Sequence, residues 1–131
     1  MPQGLAPAIA NSILDALCRS VAWTDPVGFF VKLHIGDPLV DGTGSPAGET
    51  TRQAATFSAA SAGAITTSAA TTWTNVSTSE TISHISFWDA ATAGTFLGSD
   101  ALAASRALTA GDNFELATGD LDLDITPLAA N

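Results

Sequence analysis

The sequence predicts a mainly β fold, an antiparallel β-sandwich or partly closed barrel with one N-terminal α-helix. Three observations carry that expectation. Residues 81–125 read as short strands joined by glycine turns, residues 29–35 alternate between two faces, and apolar residues recur every four positions near the N-terminus. A chain of 131 residues fits a single domain, 1–131, with the helix over about 6–21 and the β domain over about 29–126. At that length roughly two-thirds of the extended surface is removed on folding, enough for a core without disulfides or metals.

Pro7 suits the first turn of a helix, and Ile9, Ile13, Leu17 and Val21 follow at intervals of four, among Ala6, Ala10 and Ala16. The stripe is assigned to core packing. Cys18, the single cysteine, falls in this apolar helix and is expected to be a buried, unreactive thiol; it has no partner for an internal disulfide, as befits a chain folded in a reducing cytosol. Asp25-Pro26 and Gly28 end the pattern. In Phe29-Phe30-Val31-Lys32-Leu33-His34-Ile35 the alternation sets Phe29, Val31, Leu33 and Ile35 on one face and Phe30, Lys32 and His34 on the other, a strand with one buried face. Residues 36–51, rich in Gly, Pro and Asp, form a long exposed loop of the kind that carries function or contacts.

The next segment is biased towards Ala, Ser and Thr. Strands are expected over 52–58 and 65–72, with a turn at Ala62-Gly63 and with Phe57, Ile65, Trp73 and Val76 as anchors. Thr81 to Trp88 is a strand of β-branched and aromatic residues, and Asp89 to Gly94 reverses the chain. Return strands follow at 95–99 and 101–108, then a turn at Gly111-Asp112-Asn113, a short strand at 114–117 and a final one at 121–125.

Four Lys/Arg against thirteen Asp/Glu give a net charge of −9, which argues against nucleic acid, since phosphate-backbone affinity comes from Lys and Arg. Charged residues are only 13% of the chain, so much of the surface is Ala, Ser, Thr and Gly. Such a surface costs little to desolvate, which points to burial in an assembly. No stretch resembles a secretory signal or a membrane span, so no membrane partner is expected.

Catalytic constellations fare poorly. Cys18 with His34 or His84 lacks a cation to activate the thiol, and no Gly-x-Ser-x-Gly elbow accompanies the many serines. His34 and His84 are expected as hydrogen-bonded residues on strand faces. Asp120, Asp122 and Asp124 repeat at period two, about 7 Å apart along a strand, too far apart for one ion, and form an acidic edge instead. Asp41-Gly42-Thr43-Gly44-Ser45 is no phosphate loop, because no Gly-Lys-Ser/Thr follows. The expectation is no catalytic residue, no cofactor and no metal site.

Together, Val31-Lys32-Leu33-His34-Ile35-Gly36-Asp37-Pro38, the glycine-rich loop, and Glu49-Thr50-Thr51-Arg52-Gln53-Ala54-Ala55-Thr56-Phe57 resemble a family of small tailed-bacteriophage virion proteins, described as tail-fibre-like or minor structural proteins. The likeness continues through Ile82 to Ala90, Gly94-Thr95-Phe96-Leu97, Leu108 to Asp112 and Gly119-Asp120-Leu121. The resemblance implies a non-enzymatic virion protein, made in the bacterial host cytoplasm, whose partners are other virion proteins, either the major capsid protein or tail proteins.

The chain shows no heptad, collagen-like period or β-helical repeat. A capsid decoration or cement protein, in symmetric homo-oligomeric clusters such as trimers, is therefore the first expectation. The alternative is a minor tail or tail-fibre-like protein, including a receptor- or glycan-binding module. The residues expected at the interface are Asp37, Pro38, Asp41, Thr43, Ser45, Glu49 and Arg52 in and after the loop, with Asp122 and Asp124 as an acidic edge. Removing Arg52 is expected to weaken attachment more than folding. Trp73 and Trp88 are assigned to the core before the interface.

Overall fold

The computed structural model describes residues 4–124. It is mainly β, with antiparallel sheets, one helix near the N-terminus and no closed barrel, which is the sandwich alternative of the expected fold. A two-residue strand, β1 (Gly4–Leu5), leads into α1 (Pro7–Arg19). Then follow β2 (Phe30–His34), β3 (Gln53–Ala54), β4 (Ala64–Thr66), β5 (Thr71–Trp73), β6 (Glu80–Trp88), β7 (Phe96–Leu108), β8 (Phe114–Leu116) and β9 (Asp122–Asp124).

The larger sheet has the order β1-β7-β6-β2-β3, and the ribbons β4-β9 and β5-β8 supply the second layer. Val31 faces Phe87 and Leu33 faces Ile85 across β2 and β6. Because side chains alternate along a strand, all four project to one side, where they join Trp73, Phe114, Leu116 and Leu121 of the second layer and its loops in the buried core. Trp73 and Phe114 stack at a ring separation of 5.6 Å, and the Trp73 indole donates to the Thr51 carbonyl at 2.8 Å. The β6–β7 register slips between Ile82 and His84, so what the sequence divides into strands at 95–99 and 101–108 is one irregular strand. The expected strand at 52–58 is reduced to Gln53–Ala54 and an isolated bridge at Phe57, and that at 65–72 is split in two. Gln53, Ala54 and their neighbours pair on one side only, and the alanines and serines supply little cross-strand packing to extend them. The turn at Ala62-Gly63 forms, with φ of 52° and 80°. The last expected strand ran to Ile125, which lies outside the described residues.

Three expectations about burial are corrected. First, no residue of α1 is buried: Ile9 packs against the core, Ile13 is half-buried, and Leu14 and Leu17 are exposed. Second, Cys18 is exposed: nine positions after Ile9, which packs against the core, it stands about half a turn round the helix, on the side away from the core. Third, β2 is covered on both sides at its end, since His34 is buried while Ile35, expected inside, is exposed. The loop after β2 causes this by folding back over the sheet.

Candidate interaction surfaces

Lys32, His34, Ser86 and Trp88 project from the side of the large sheet away from the core. The loop starts at Ile35 and returns along β2, with Ile35 N–H donating to the Ser45 carbonyl at 3.0 Å and Ala47 N–H to the Leu33 carbonyl at 3.1 Å. His34 lies beneath it. Its Nδ1 stands 2.7 Å from the Gly44 carbonyl oxygen and its Nε2 stands 2.7 Å from the Ser86 hydroxyl. A carbonyl only accepts, so Nδ1 carries the proton and Nε2 accepts from Ser86. The Ser86 oxygen in turn accepts the Trp88 indole N–H at 2.8 Å. Burial pushes the His34 pKa down, with a smaller contribution from the Lys32 charge, and the ring is held neutral. Burial first and then the neighbouring Arg52 charge likewise lower Lys32.

This Ser-His pair is a clamp rather than a nucleophile and its base. Both side chains are sealed from solvent, the ring's second partner is a backbone carbonyl instead of a carboxylate, and the serine oxygen already holds an indole proton.

Within the loop, local hydrogen bonds shape each turn. Asp37 Oδ1 accepts from Leu39 N–H at 2.8 Å. Asp41 Oδ1 accepts from the Thr43 amide at 3.1 Å and the Thr43 hydroxyl at 2.7 Å, and these two bonds hold the Asp41 carboxyl below its ordinary range. Gly42 sits at φ 75° with its α-carbon against the sheet's aromatic pair; a Cβ there would lie 2.6 Å from Phe96 and 2.8 Å from Trp88.

The exit of the loop is held by carboxylates. Glu80 accepts the Gly48 amide at 2.9 Å and the Glu49 amide at 3.2 Å. Glu49, itself buried, accepts from Thr51 N–H at 3.2 Å and Ser77 N–H at 3.0 Å. Burial acts to raise the Glu49 pKa, but these bonds outweigh it and the carboxyl stays below its ordinary value. Arg52 then lies over the Trp88 ring, its guanidinium carbon 4.1 Å from the centroid. Its Nη1 donates to the Ala90 and Ala93 carbonyls at 2.9 and 2.6 Å.

The residues expected at an interface thus fall into three groups. Pro38 and Glu49 are buried and Arg52 is half-buried, each holding the loop in place. Asp41, Thr43 and Ser45 are exposed and Asp37 is half-buried, all in the loop, beside the exposed apolar residues Leu39 and Val40. Asp122 is exposed at the other end of the chain, opposite Thr66, with Asp124 in register with Ala64. Asp120 precedes this strand and accepts the Ala117 amide at 2.8 Å, closing a turn. The structure brings the loop residues together and does not join them to the acidic strand. Trp73 is in the core; Trp88 is half-buried under Arg52.

A third surface was not expected. Leu5, Ile9, Ile13, Trp23, Val27 and Phe29 line an open apolar groove of about 440 Å³ between α1 and the segment that follows it. The signal lay in Leu14, Trp23 and Val27, apolar residues beside the four-residue stripe that a core-facing helix does not require.

A match to a family model covers residues 4–124, and the family is described as Podophage GP4 fiber I protein gp80. The chain belongs to this family. It is accordingly a phage structural protein of the fibre type and sits in the virion, where it associates with other virion proteins. That agrees with the tail-fibre-like resemblance of the sequence. No curated protein matches the chain. Among the described residues no helix is long and apolar enough to cross a membrane, and no three metal-ligating side chains cluster.

Proposed function

We propose that the gp80-family chain is a non-enzymatic module of the phage fibre, present in several copies, that contacts other virion proteins through its loop and its acidic strand. The observation that carries this reading is the fibre-family match across residues 4–124. The use of the side chains supports it: His34, Ser86, Glu49 and Arg52 are engaged in holding one loop against one sheet. Asp37, Asp41, Thr43 and Ser45 offer a rigid contact, and Asp122 and Asp124 add negative charge that favours a basic patch on the partner. Binding only the assembled particle would stabilise it, by about 2.7 kcal/mol per site at one hundred times the dissociation constant.

Head decoration is favoured over a fibre only by the missing long-range repeat, and a compact unit within a fibre needs none. Antibody labelling of intact particles separates the two. Label confined to fibres at the tail is the expected result, and label distributed over the head overturns the fibre reading.

A further inference from the structure

We infer that copies of this chain bind head to tail: Lys32 and Arg52, side by side on the outer face of the large sheet, receive the carboxylates on the outer face of the second layer of the next copy. β2 and β3 pair Phe30 with Ala54 and Val31 with Gln53, and one step further along that antiparallel register Lys32 stands opposite Arg52. Like charges directly opposite each other across two strands destabilise a sheet, so the pair calls for a counter-charge. Both side chains are half-buried, leaving part of each at the surface. No carboxylate pairs with Lys32 among the described residues. Asp89 is the carboxylate that acts on Arg52, and its Oδ1 already accepts the Thr95 amide at 2.7 Å; in the loop, Asp37 and Asp41 accept from loop amides. The chain has only four Lys/Arg. Of the other two, Arg19 is paired with Asp15 at 3.1 Å and Arg106 lies 5.8 Å from the Phe114 ring.

The matching anions are on the chain itself. Phe114, Leu116 and Leu121 point into the core, so the exposed Glu115 and Asp122 that adjoin them point away from it, with exposed Asp120 close by in sequence. The strands of this layer, β4, β5, β8 and β9, contain no Lys or Arg. Cations and anions thus face outward from opposite layers of the sandwich. Stacking the second layer of one copy on the large sheet of the next brings them together, a heterologous contact that extends to a ring or a filament. The same charges select the copy. At −9, two copies repel in any arrangement that leaves the cations out, and a basic partner is repelled at Lys32 and Arg52. The basic patch that the acidic strand requires of a partner is present on this chain.

The inference rests on the several-copy part of the proposed function and is independent of where on the particle the protein sits. Sedimentation of the full chain over a range of concentrations tests it, with Lys32→Glu cancelling the cationic face and the double variant Glu115→Gln, Asp122→Asn neutralising the acidic one. Lys32→Glu turns a like-charge pair into an opposite one, and Glu115 and Asp122 are exposed, so both proteins are expected to keep the wild-type circular dichroism spectrum. The wild type should associate and come apart in high salt. Each variant alone should associate at least about tenfold more weakly, a change equivalent to about 1.4 kcal/mol. Mixed, the two variants retain one intact contact between them, so they should form one-to-one pairs and nothing larger. Wild type that stays monomeric at every concentration overturns both this contact and the several-copy reading. Association that salt or either variant leaves unchanged, or a mixture that does not pair, overturns the head-to-tail contact alone and leaves several copies standing.

Discussion

The Ser86 hydroxyl donates to His34 Nε2 across 2.7 Å, joining the middle of β6 to the end of β2 beneath a loop that neither strand contains. Because His34 Nδ1 donates onward to Gly44 at 2.7 Å, the pair fixes the loop's position over the outer face of the sheet. Ser86→Ala should leave both the imidazole nitrogen and the Trp88 indole without a buried partner. The expected loss is about 1–3 kcal/mol, read as a lower urea midpoint with an unchanged slope.

The same pair makes stability depend on pH. The folded-state pKa of His34 lies below the ordinary 6.5, so as pH falls the unfolded chain takes up this proton first. Its contribution is fully present above pH 6.5 and is lost as pH falls through the folded value. The unfolding midpoint of the wild type should therefore decline on acidification below about pH 6.5, and His34→Gln should flatten that decline. Parallel curves for the two proteins would show that other groups set the dependence.

Arg52 joins the entry of β3 to the turn after β6, through two carbonyls and the Trp88 face. Arg52→Lys keeps the charge but loses the flat guanidinium that does both. The expected cost is about 1–2 kcal/mol, measurable by thermal unfolding. The geometry gives this residue a part in the fold, through Ala90, Ala93 and Trp88, beside the part in attachment expected from the sequence.

Gly42 combines a left-handed backbone with contact distances that exclude a side chain. Gly42→Ala should destabilise by about 1–3 kcal/mol from backbone conformation alone, with the encounter with Phe96 and Trp88 added. A circular dichroism melt checks it, and an unchanged midpoint would mean the loop lifts from the sheet at no cost.

Val40 is 67% exposed at the loop and takes no part in the hydrogen bonds that shape it. Val40→Ser should change stability by less than about 0.5 kcal/mol yet lower the number of copies retained on purified particles. Full occupancy would remove the loop tip from the contact surface.

Legibility followed how local the physics is. Thr81 to Trp88 announced a strand because β-branched and aromatic residues suit a pleated, half-buried surface wherever they occur, and Gly94, at φ 79°, marked the reversal after it. Cys18 and Leu17 were misplaced because periodicity identifies an apolar face without saying what covers it. His34 and Ser86 are separated by 52 positions, and no pattern within either segment pairs them.

The sequence by itself determined the mainly β class with a leading helix, the acidic character that disfavours nucleic acid, and the likeness to phage tail-fibre-like proteins. These depend on residue type, short-range alternation and the order of motifs, all present in the unfolded chain. Only the tertiary structure decided that the loop is a clasp over the sheet, that Arg52 and Glu49 serve that clasp, and that α1 turns an apolar face outward. Each of those depends on which distant segments meet, and strand pairing across β2, β6 and β7 sets those meetings.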